Sequence, residues 1–172
     1  VGVPLGLKLR HGESVFGGTK LAADVSTWDV SAVTNMVNFH NRGDVLIADP
    51  GYGEWDVSNV KDFTTAFYAF QGKYVPNKWV ASKAENWKEI YTLSKIEGPV
   101  TWTGTLSLAK ATWRAETTMR GMFKGCSNLI GPVHIPMMCE VEDRYDFSTY
   151  QMFAECSKME FAPIITNRPE DA

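Results

Sequence analysis

The sequence predicts an α/β solenoid of about five strand–helix coils whose short strands stack in parallel. One observation is a recurring phrase: Trp-Asp-Val-Ser at residues 28–31 returns at 55–58 and, degenerate, as Trp-Val-Ala-Ser at 79–82, after steps of 27 and 24 residues. A second phrase, Met-Phe-x-x-Cys-Ser, occurs at 122–127 and again at 152–157. A period of about 24 to 32 residues is typical of arrays in which each unit buries its apolar face against the next unit.

The whole chain is predicted to be one repeat domain, residues 1–172. Its 172 residues are enough to bury a sizeable core. The predicted divisions are a lead-in at 1–20, two regular repeats at 21–70, a degenerate repeat at 71–110, two further repeats at 111–166 and a tail at 167–172.

Each repeat is predicted to consist of an extended segment, an N-cap and a short helix. Ser58 stands where the cap of the second helix is expected, and Ser82 with Glu85 matches a capping box in the third. The apolar residues of the second repeat follow at spacings of three, four and three, which predicts one helical stripe: Val60, Phe63, Phe67 and Phe70. We expect Phe63, Phe67 and their counterparts Phe123 and Phe153 to point into the core.

Between the predicted helices lie segments rich in β-branched and aromatic residues and bounded by Gly and Pro, which is typical of short strands. These segments are residues 21–28, 46–55, 100–106, 133–135 and 163–165. Because strand and helix alternate, the strands are predicted to stack in parallel along one face.

Composition and charge exclude several classes of function. A net charge of −3 without a Lys/Arg run argues against nucleic-acid binding. No stretch approaches the roughly 20 apolar residues of a membrane span. The cysteines, Cys126, Cys139 and Cys156, are too few for a disulfide framework and form no Cys-x-x-Cys pair. We expect Cys126 and Cys156 to be buried free thiols, and we predict no metal and no cofactor.

The sequence does not predict an enzyme. The three histidines are scattered, and neither a Gly-x-Ser-x-Gly elbow nor a phosphate-binding loop occurs. His40 lies at the repeat position of Phe67, with no partner residue at a useful spacing, so we interpret it as a packed side chain near a helix end. The four tryptophans in repeat register are interpreted as spacers between coils: Trp28, Trp55, Trp79 and Trp87.

Two stretches resemble a known family. The sequence 122–129 followed by 133–136 resembles the repeat of BspA-type leucine-rich-repeat surface proteins, and 28–36 looks like the Trp-Asp-Val-Ser variant found in bacterial surface lipoproteins of that group. The resemblance covers roughly residues 20–70 and 111–166. It implies a leucine-rich-repeat-like solenoid outside a cell or on a virus particle, used in adhesion or recognition, with no catalytic residues.

Candidate binding residues lie where the chain departs from the repeat. Stacking accounts for residues in register, so a binding surface is expected in the Thr-rich segment 102–113 and the acidic loop 140–145. The alternative is that both segments are insertions without a function, which loops between repeats tolerate well. The predicted ligand-binding residues are Trp102, Trp113, Glu140, Glu142, Asp143 and Tyr145. The acidic loop lacks the spacing and glycine of a known calcium loop, so a solvated loop is the preferred interpretation.

The predicted function is a non-enzymatic extracellular recognition or adhesion module that binds a host protein or a surface glycan. The alternative is a structural or receptor-binding accessory component of a virion or another large surface assembly, in which other copies or subunits are partners. The expected location is extracellular or at the cell surface, or on a virion in the alternative.

Overall fold

The computed structural model describes residues 7–101, 106–107, 119–138 and 150–166. All paired strands in it are parallel. The first sheet joins β1 (Lys20–Leu21) to β2 (Asp44–Val45). In the second sheet, β5 pairs with three other strands. Its members are β3 (Val100–Thr101), β4 (Leu106–Ser107), β5 (Val133–Met138) and β6 (Ile164–Thr166).

The predicted α/β solenoid of about five strand–helix coils is wrong. In the described residues the helical structure amounts to one 3-10 turn, Tyr52–Glu54. The segments predicted as helices are instead runs of tight turns, and in the second repeat the N–H of Ala66 donates to Phe63 O and that of Phe70 to Phe67 O. Two residues of this segment, Thr65 and Ala69, have φ of 54° and 52°, in the left-handed region that ends an α-helix.

Backbone donors between these turns pair with the next repeat. The N–H groups of Phe67 and Ala69 donate to Ile90 O and Thr92 O, at 2.8 and 2.7 Å. In a helix the same donors would bond four residues back in their own segment. Bonds between repeats therefore replace the bonds of the predicted helices, and the polar backbone stays paired.

Left-handed residues recur in pairs four positions apart, one pair in each turn segment. The pairs are Ser14 and Gly18, Asn38 and Arg42, Thr65 and Ala69, Glu89 and Leu93, Gly121 and Gly125, and Gln151 and Glu155. A residue with a Cβ pays about 1–2 kcal/mol in this conformation. Packing and bonds between repeats must offset that cost wherever the residue is not glycine.

The predicted helix caps belong to other structures. The Ser58 N–H donates to Asp56 Oδ1 at 3.0 Å, which makes an Asx turn. Ser82 Oγ lies 3.5 Å from the Ser58 carbonyl, in the preceding repeat. Glu85 closes no capping box, because its N–H donates to Lys61 O and its carboxylate lies 3.5 Å from Lys61 Nζ. The capping prediction was wrong because no helix follows these serines.

The core assignment is confirmed at three of the four predicted phenylalanines. Phe63, Phe67 and Phe123 are fully buried, and Phe153 is partly buried against the core. Rings from successive repeats form an aromatic column through Phe67, Tyr91, Phe123 and Phe153. Neighbouring centroids are 5.3, 5.7 and 5.3 Å apart, and their planes lie within 9° of parallel. Stacking from one repeat to the next therefore joins the repeats along the core.

The register tryptophans fill space between repeats, as predicted. Trp55, Trp79 and Trp87 are buried, while Trp28 is partly buried and stacks on Trp55 at 6.4 Å. The indole N–H of Trp55 donates to the Val25 carbonyl at 2.9 Å, which ties one repeat to the previous one.

Candidate functional site

A pocket of about 320 Å³ opens beside β2. This volume is near the lower end of the roughly 300–1,000 Å³ that is usual for ligand sites. The residues that line it come from two stretches of chain: Asp44, Val45, Ile47 and Ala48, and Gln71, Gly72, Lys73 and Tyr74. It is the candidate site, and we call it the β2 pocket.

The pocket forms where the chain leaves the ladder between repeats. The Gln71 N–H still donates to Gly43 O at 2.8 Å, in register with the earlier repeats. After Gly72 the chain passes to Tyr74, whose hydroxyl accepts the N–H of Gly53 at 3.0 Å. Segment 71–74 is thus held at both ends, and a gap stays open between it and β2.

Two polar side chains of the pocket are oriented by the backbone. Asp44 Oδ1 accepts the Val45 N–H at 2.8 Å, and Gln71 Nε2 donates to Ala69 O at 2.6 Å. A carboxylate offers about four acceptor positions and an amide has a second N–H and an oxygen, so both side chains keep capacity for a ligand. Lys73 is exposed, and its ammonium lies 2.7 Å from Glu97.

Burial raises the pKa of Tyr74 to about 12, so the phenol is neutral at physiological pH. Its ring makes an edge contact with Tyr52, with 6.0 Å between centroids. Tyr74 therefore connects the pocket wall with the core behind it.

Behind the pocket lies His40, which is fully buried. Its Nδ1 is 3.0 Å from the Tyr52 hydroxyl, and its Nε2 is 3.3 Å from Thr19 O. Because a carbonyl only accepts, we assign the proton to Nε2, with Tyr52 donating to Nδ1. Burial lowers the pKa of His40, while the Thr19 carbonyl and the charge of Asp44 act in the opposite direction. The interpretation of His40 as a packed side chain is confirmed, although it lies at no helix end.

Within the described ranges, no group of three or more His, Cys, Asp or Glu residues could hold a metal ion. Cys126 and Cys156 are free thiols, as predicted, but only Cys126 is fully buried. Cys126 Sγ donates to Tyr91 O at 2.9 Å, and burial raises the pKa of this thiol to about 12. Such a thiol is a poor nucleophile. Cys139 lies outside the described residues.

The ligand-binding residues predicted from the sequence are Trp102, Trp113, Glu140, Glu142, Asp143 and Tyr145. They lie outside the described residues and stay predictions. The β2 pocket was not predicted, since its lining residues form no motif and come from two repeats. The one sequence signal near it was the loss of the repeat pattern after residue 70.

A family model described as "Mycoplasma protein of unknown function, DUF285" matches residues 9–101, more than half of the chain. The chain belongs to this family. No curated protein and no solved structure matches the chain. The region that matches the family contains the β2 pocket and His40. Among the described residues, none form a helix of the length and apolar character that a membrane span requires.

Proposed function

We propose that this protein is a non-enzymatic recognition module that acts at a cell surface and holds one sugar residue of a glycan in the β2 pocket. The composition of that pocket is the observation that carries the proposal. The surface location is supported by the resemblance to BspA-type surface proteins, with which the family match is compatible.

Binding suits the β2 pocket better than catalysis. Its titratable side chains are Asp44, Lys73 and Tyr74. Lys73 is engaged by Glu97, and Tyr74 is neutral until about pH 12. The His40 behind them is buried with both nitrogens engaged. Acid–base chemistry needs a group that can exchange its proton near neutral pH within reach of the substrate, and neither Tyr74 nor the buried His40 presents one to the pocket.

A pyranose ring matches the lining in size and in chemistry. Val45, Ile47 and Ala48 supply apolar surface, while Asp44 and Gln71 supply oriented acceptors and donors. A sugar presents apolar ring faces and hydroxyl groups that both donate and accept. Because Lys73 is paired with Glu97, Asp44 remains as the charged acceptor of the pocket, and it suits the hydroxyl donors of a sugar.

Titration of the ¹⁵N-labelled protein with single sugars tests the proposal. We expect neutral hexoses or N-acetylhexosamines to shift resonances of residues 44–48 and 71–74, with a Kd of about 1 mM. Asp44→Asn should weaken binding at least tenfold, since the amide replaces a charged acceptor. Asp56→Asn makes the same change outside the pocket and should leave affinity unchanged. Absence of binding by every neutral sugar, or equal affinity in both variants, would contradict the glycan assignment.

If the ligand is a host protein and not a glycan, Asp44→Asn is expected to have no effect on binding. An immobilised matrix protein that binds wild type and Asp44→Asn equally, while sugars do not bind, would place the contact surface outside the β2 pocket. Trp102, Trp113 and the loop 140–145 would then be the residues to substitute.

A second candidate function, a component of a larger assembly, is favoured by exposed apolar side chains in the last described repeat. Tyr150, Phe161 and Ile164 are 58%, 53% and 56% exposed. Light scattering at increasing concentration tests this function. A stable oligomer that Phe161→Ser dissociates would support assembly, whereas a monomer at all concentrations would contradict it.

A further inference from the structure

We propose that His40, Thr19 and Tyr52 form an acid-sensitive latch. The latch joins the turn segments around residues 14–18 and 38–42, and it releases them when the His40 imidazole takes up a proton. The contacts that carry this inference are internal to the fold and do not depend on a ligand. Control of the β2 pocket by the latch is a further consequence, and that part rests on the proposed function.

His40 occupies a position that aromatic rings fill in the other repeats. Phe67, Tyr91 and Phe123 hold this place in the column, and all three are fully buried. His40 is equally buried, with its ring centroid 5.6 Å from Phe16 and 5.1 Å from Phe70. A polar, titratable ring thus stands where the repeat elsewhere places a phenyl or phenol ring.

A second core position has changed together with His40. Gly43 stands where the later repeats carry Phe70, Ser94 and Cys126. A Cβ at Gly43 would collide with the His40 ring and would lie 2.9 Å from Thr19 O. The glycine therefore gives the imidazole room to reach the Thr19 carbonyl across the boundary between the two segments.

The latch fits the neutral imidazole and not the charged one. Neutral His40 has one donor for Thr19 O and one acceptor for the Tyr52 hydroxyl. Protonation adds a donor at Nδ1, so Tyr52 would have to reverse its hydroxyl, and the hydroxyl hydrogen would then point into an aromatic core. A charge in such surroundings is costly unless it is paired.

In the described structure, the titratable groups that face His40 are Asp44, on the same segment, and Tyr52. Tyr74 in turn contacts the Tyr52 ring. Burial raises the pKa of both phenols, so neither supplies a negative charge. Asp44 favours the imidazolium, but burial of His40 has the larger effect and lowers its pKa below the usual 6.5. Lys20 and Arg42, adjacent in sequence to the latch, are exposed.

The sign of the pH dependence follows from these groups. The unfolded or opened chain binds the proton more readily than the closed one, so acid favours opening. Neutral His40 contributes its full stabilisation above about pH 6.5, and this contribution falls as the pH drops towards the lowered pKa of the folded state. Over that window, the equilibrium constant for closing falls by up to about tenfold for each pH unit.

Opening would act first on the bonds that join the two segments. Phe16 N–H donates to Phe39 O and Gly18 N–H to Asn41 O, each at 2.8 Å. Asp44 N–H donates to Thr19 O at 2.8 Å, and Asp44 also lines the β2 pocket. Release of the latch would therefore loosen one wall of the pocket.

Amide hydrogen exchange without ligand, at pH 7.5, 6.5 and 5.5 and corrected for intrinsic rates, tests the latch. We expect the protection of the Phe16, Gly18 and Asp44 amides to fall by up to about tenfold per pH unit below 6.5. The amides of Tyr91 and Leu93, which pair with a later repeat, should keep their protection. Equal change in both groups, or no change, would overturn the proposal.

Two variants locate the effect. The double variant His40→Phe, Tyr52→Phe supplies the ring found elsewhere in the column and leaves no unpaired hydroxyl, so its exchange should be independent of pH between 7.5 and 5.5. His11→Gln removes an exposed histidine and should behave as wild type. If the double variant does not fold, an NMR titration of the His40 ring in wild type decides, and a midpoint at or above 6.5 overturns the latch. The exchange experiment contains no sugar, so a negative result would overturn the latch without affecting the glycan proposal. A negative sugar titration would likewise leave the latch untouched.

Discussion

Replacing Phe123 by Ala is expected to lower the free energy of unfolding by about 3–5 kcal/mol. The ring is fully buried and lies between two parallel rings, 5.7 Å from Tyr91 and 5.3 Å from Phe153. Burial of a phenylalanine side chain contributes about 1.5–3 kcal/mol. Each stacked pair adds about 0.5–1.5 kcal/mol. The two contributions together reach the range measured for such truncations, a large share of the 5–15 kcal/mol that usually stabilises a domain.

Urea denaturation, monitored by tryptophan fluorescence, measures this loss of stability. Two further variants test whether the loss depends on how deeply the ring is buried. Phe153 ends the described column and is only partly buried, so Phe153→Ala should cost about 1–2 kcal/mol. Phe161 is 53% exposed, and Phe161→Ala should change stability by no more than about 0.5 kcal/mol. A loss below about 1 kcal/mol at Phe123, or three equal losses, would refute the aromatic column as a source of stability.

Two further predictions concern the turns and the thiols. Asp56→Ala should cost about 0.5–1 kcal/mol in urea denaturation, because the Ser58 N–H loses its acceptor, while Asp56→Asn should cost less. Hydrogen bonds from the Ser58 side chain and backbone lower the pKa of Asp56, so its contribution is present above the usual value of 3.8 and is lost on further acidification. In native protein, a thiol reagent followed by peptide mapping should modify Cys156 faster than Cys126, whose pKa is about 12. Equal rates before unfolding would contradict the burial of Cys126.

The sequence predicted which residues face inward but not the backbone that carries them. Phe63 and Phe67 are buried as expected, because the repeat register identifies equivalent core positions whatever the backbone does. Spacings of three and four indicated a helix. Two successive turns with left-handed residues four positions apart give the same spacing, as Thr65 and Ala69 show. Periodicity alone therefore does not distinguish the two backbones.

Some signals for turns were present in the sequence. Gly121 and Gly125 lie four residues apart inside a predicted helix, where glycine is unfavourable, and both have positive φ. The Asp two residues before Ser58 is a common start of an Asx turn, and it accepts the Ser58 N–H. Bonds to the next repeat could not be predicted in the same way, because they depend on stacking of segments more than 20 residues apart.

The candidate site was harder to predict than the fold. The β2 pocket combines residues 44–48 with residues 71–74, and neither stretch has a pattern that indicates a ligand. The latch was missed for a related reason: the Tyr52 partner of His40 is 12 residues away, and the Thr19 partner is in the preceding repeat. A histidine in an aromatic register position was the visible sign, and it indicated burial correctly.

The central claim is that the repeats are built from turns with left-handed residues and not from helices, and substitution at two equivalent positions tests it most directly. Ala69 has φ of 52° and Gly125 has φ of 70°. Relief of the left-handed strain, about 1–2 kcal/mol, exceeds the extra chain entropy of glycine, about 0.5–1 kcal/mol, so Ala69→Gly should stabilise the protein by about 0.5–1 kcal/mol. Gly125→Ala should destabilise it, and its new Cβ would also meet the Leu93 side chain. In a helix both signs would reverse, since glycine is about 1 kcal/mol worse than alanine there. Urea denaturation that finds Ala69→Gly less stable and Gly125→Ala more stable than wild type would contradict the turn-built fold.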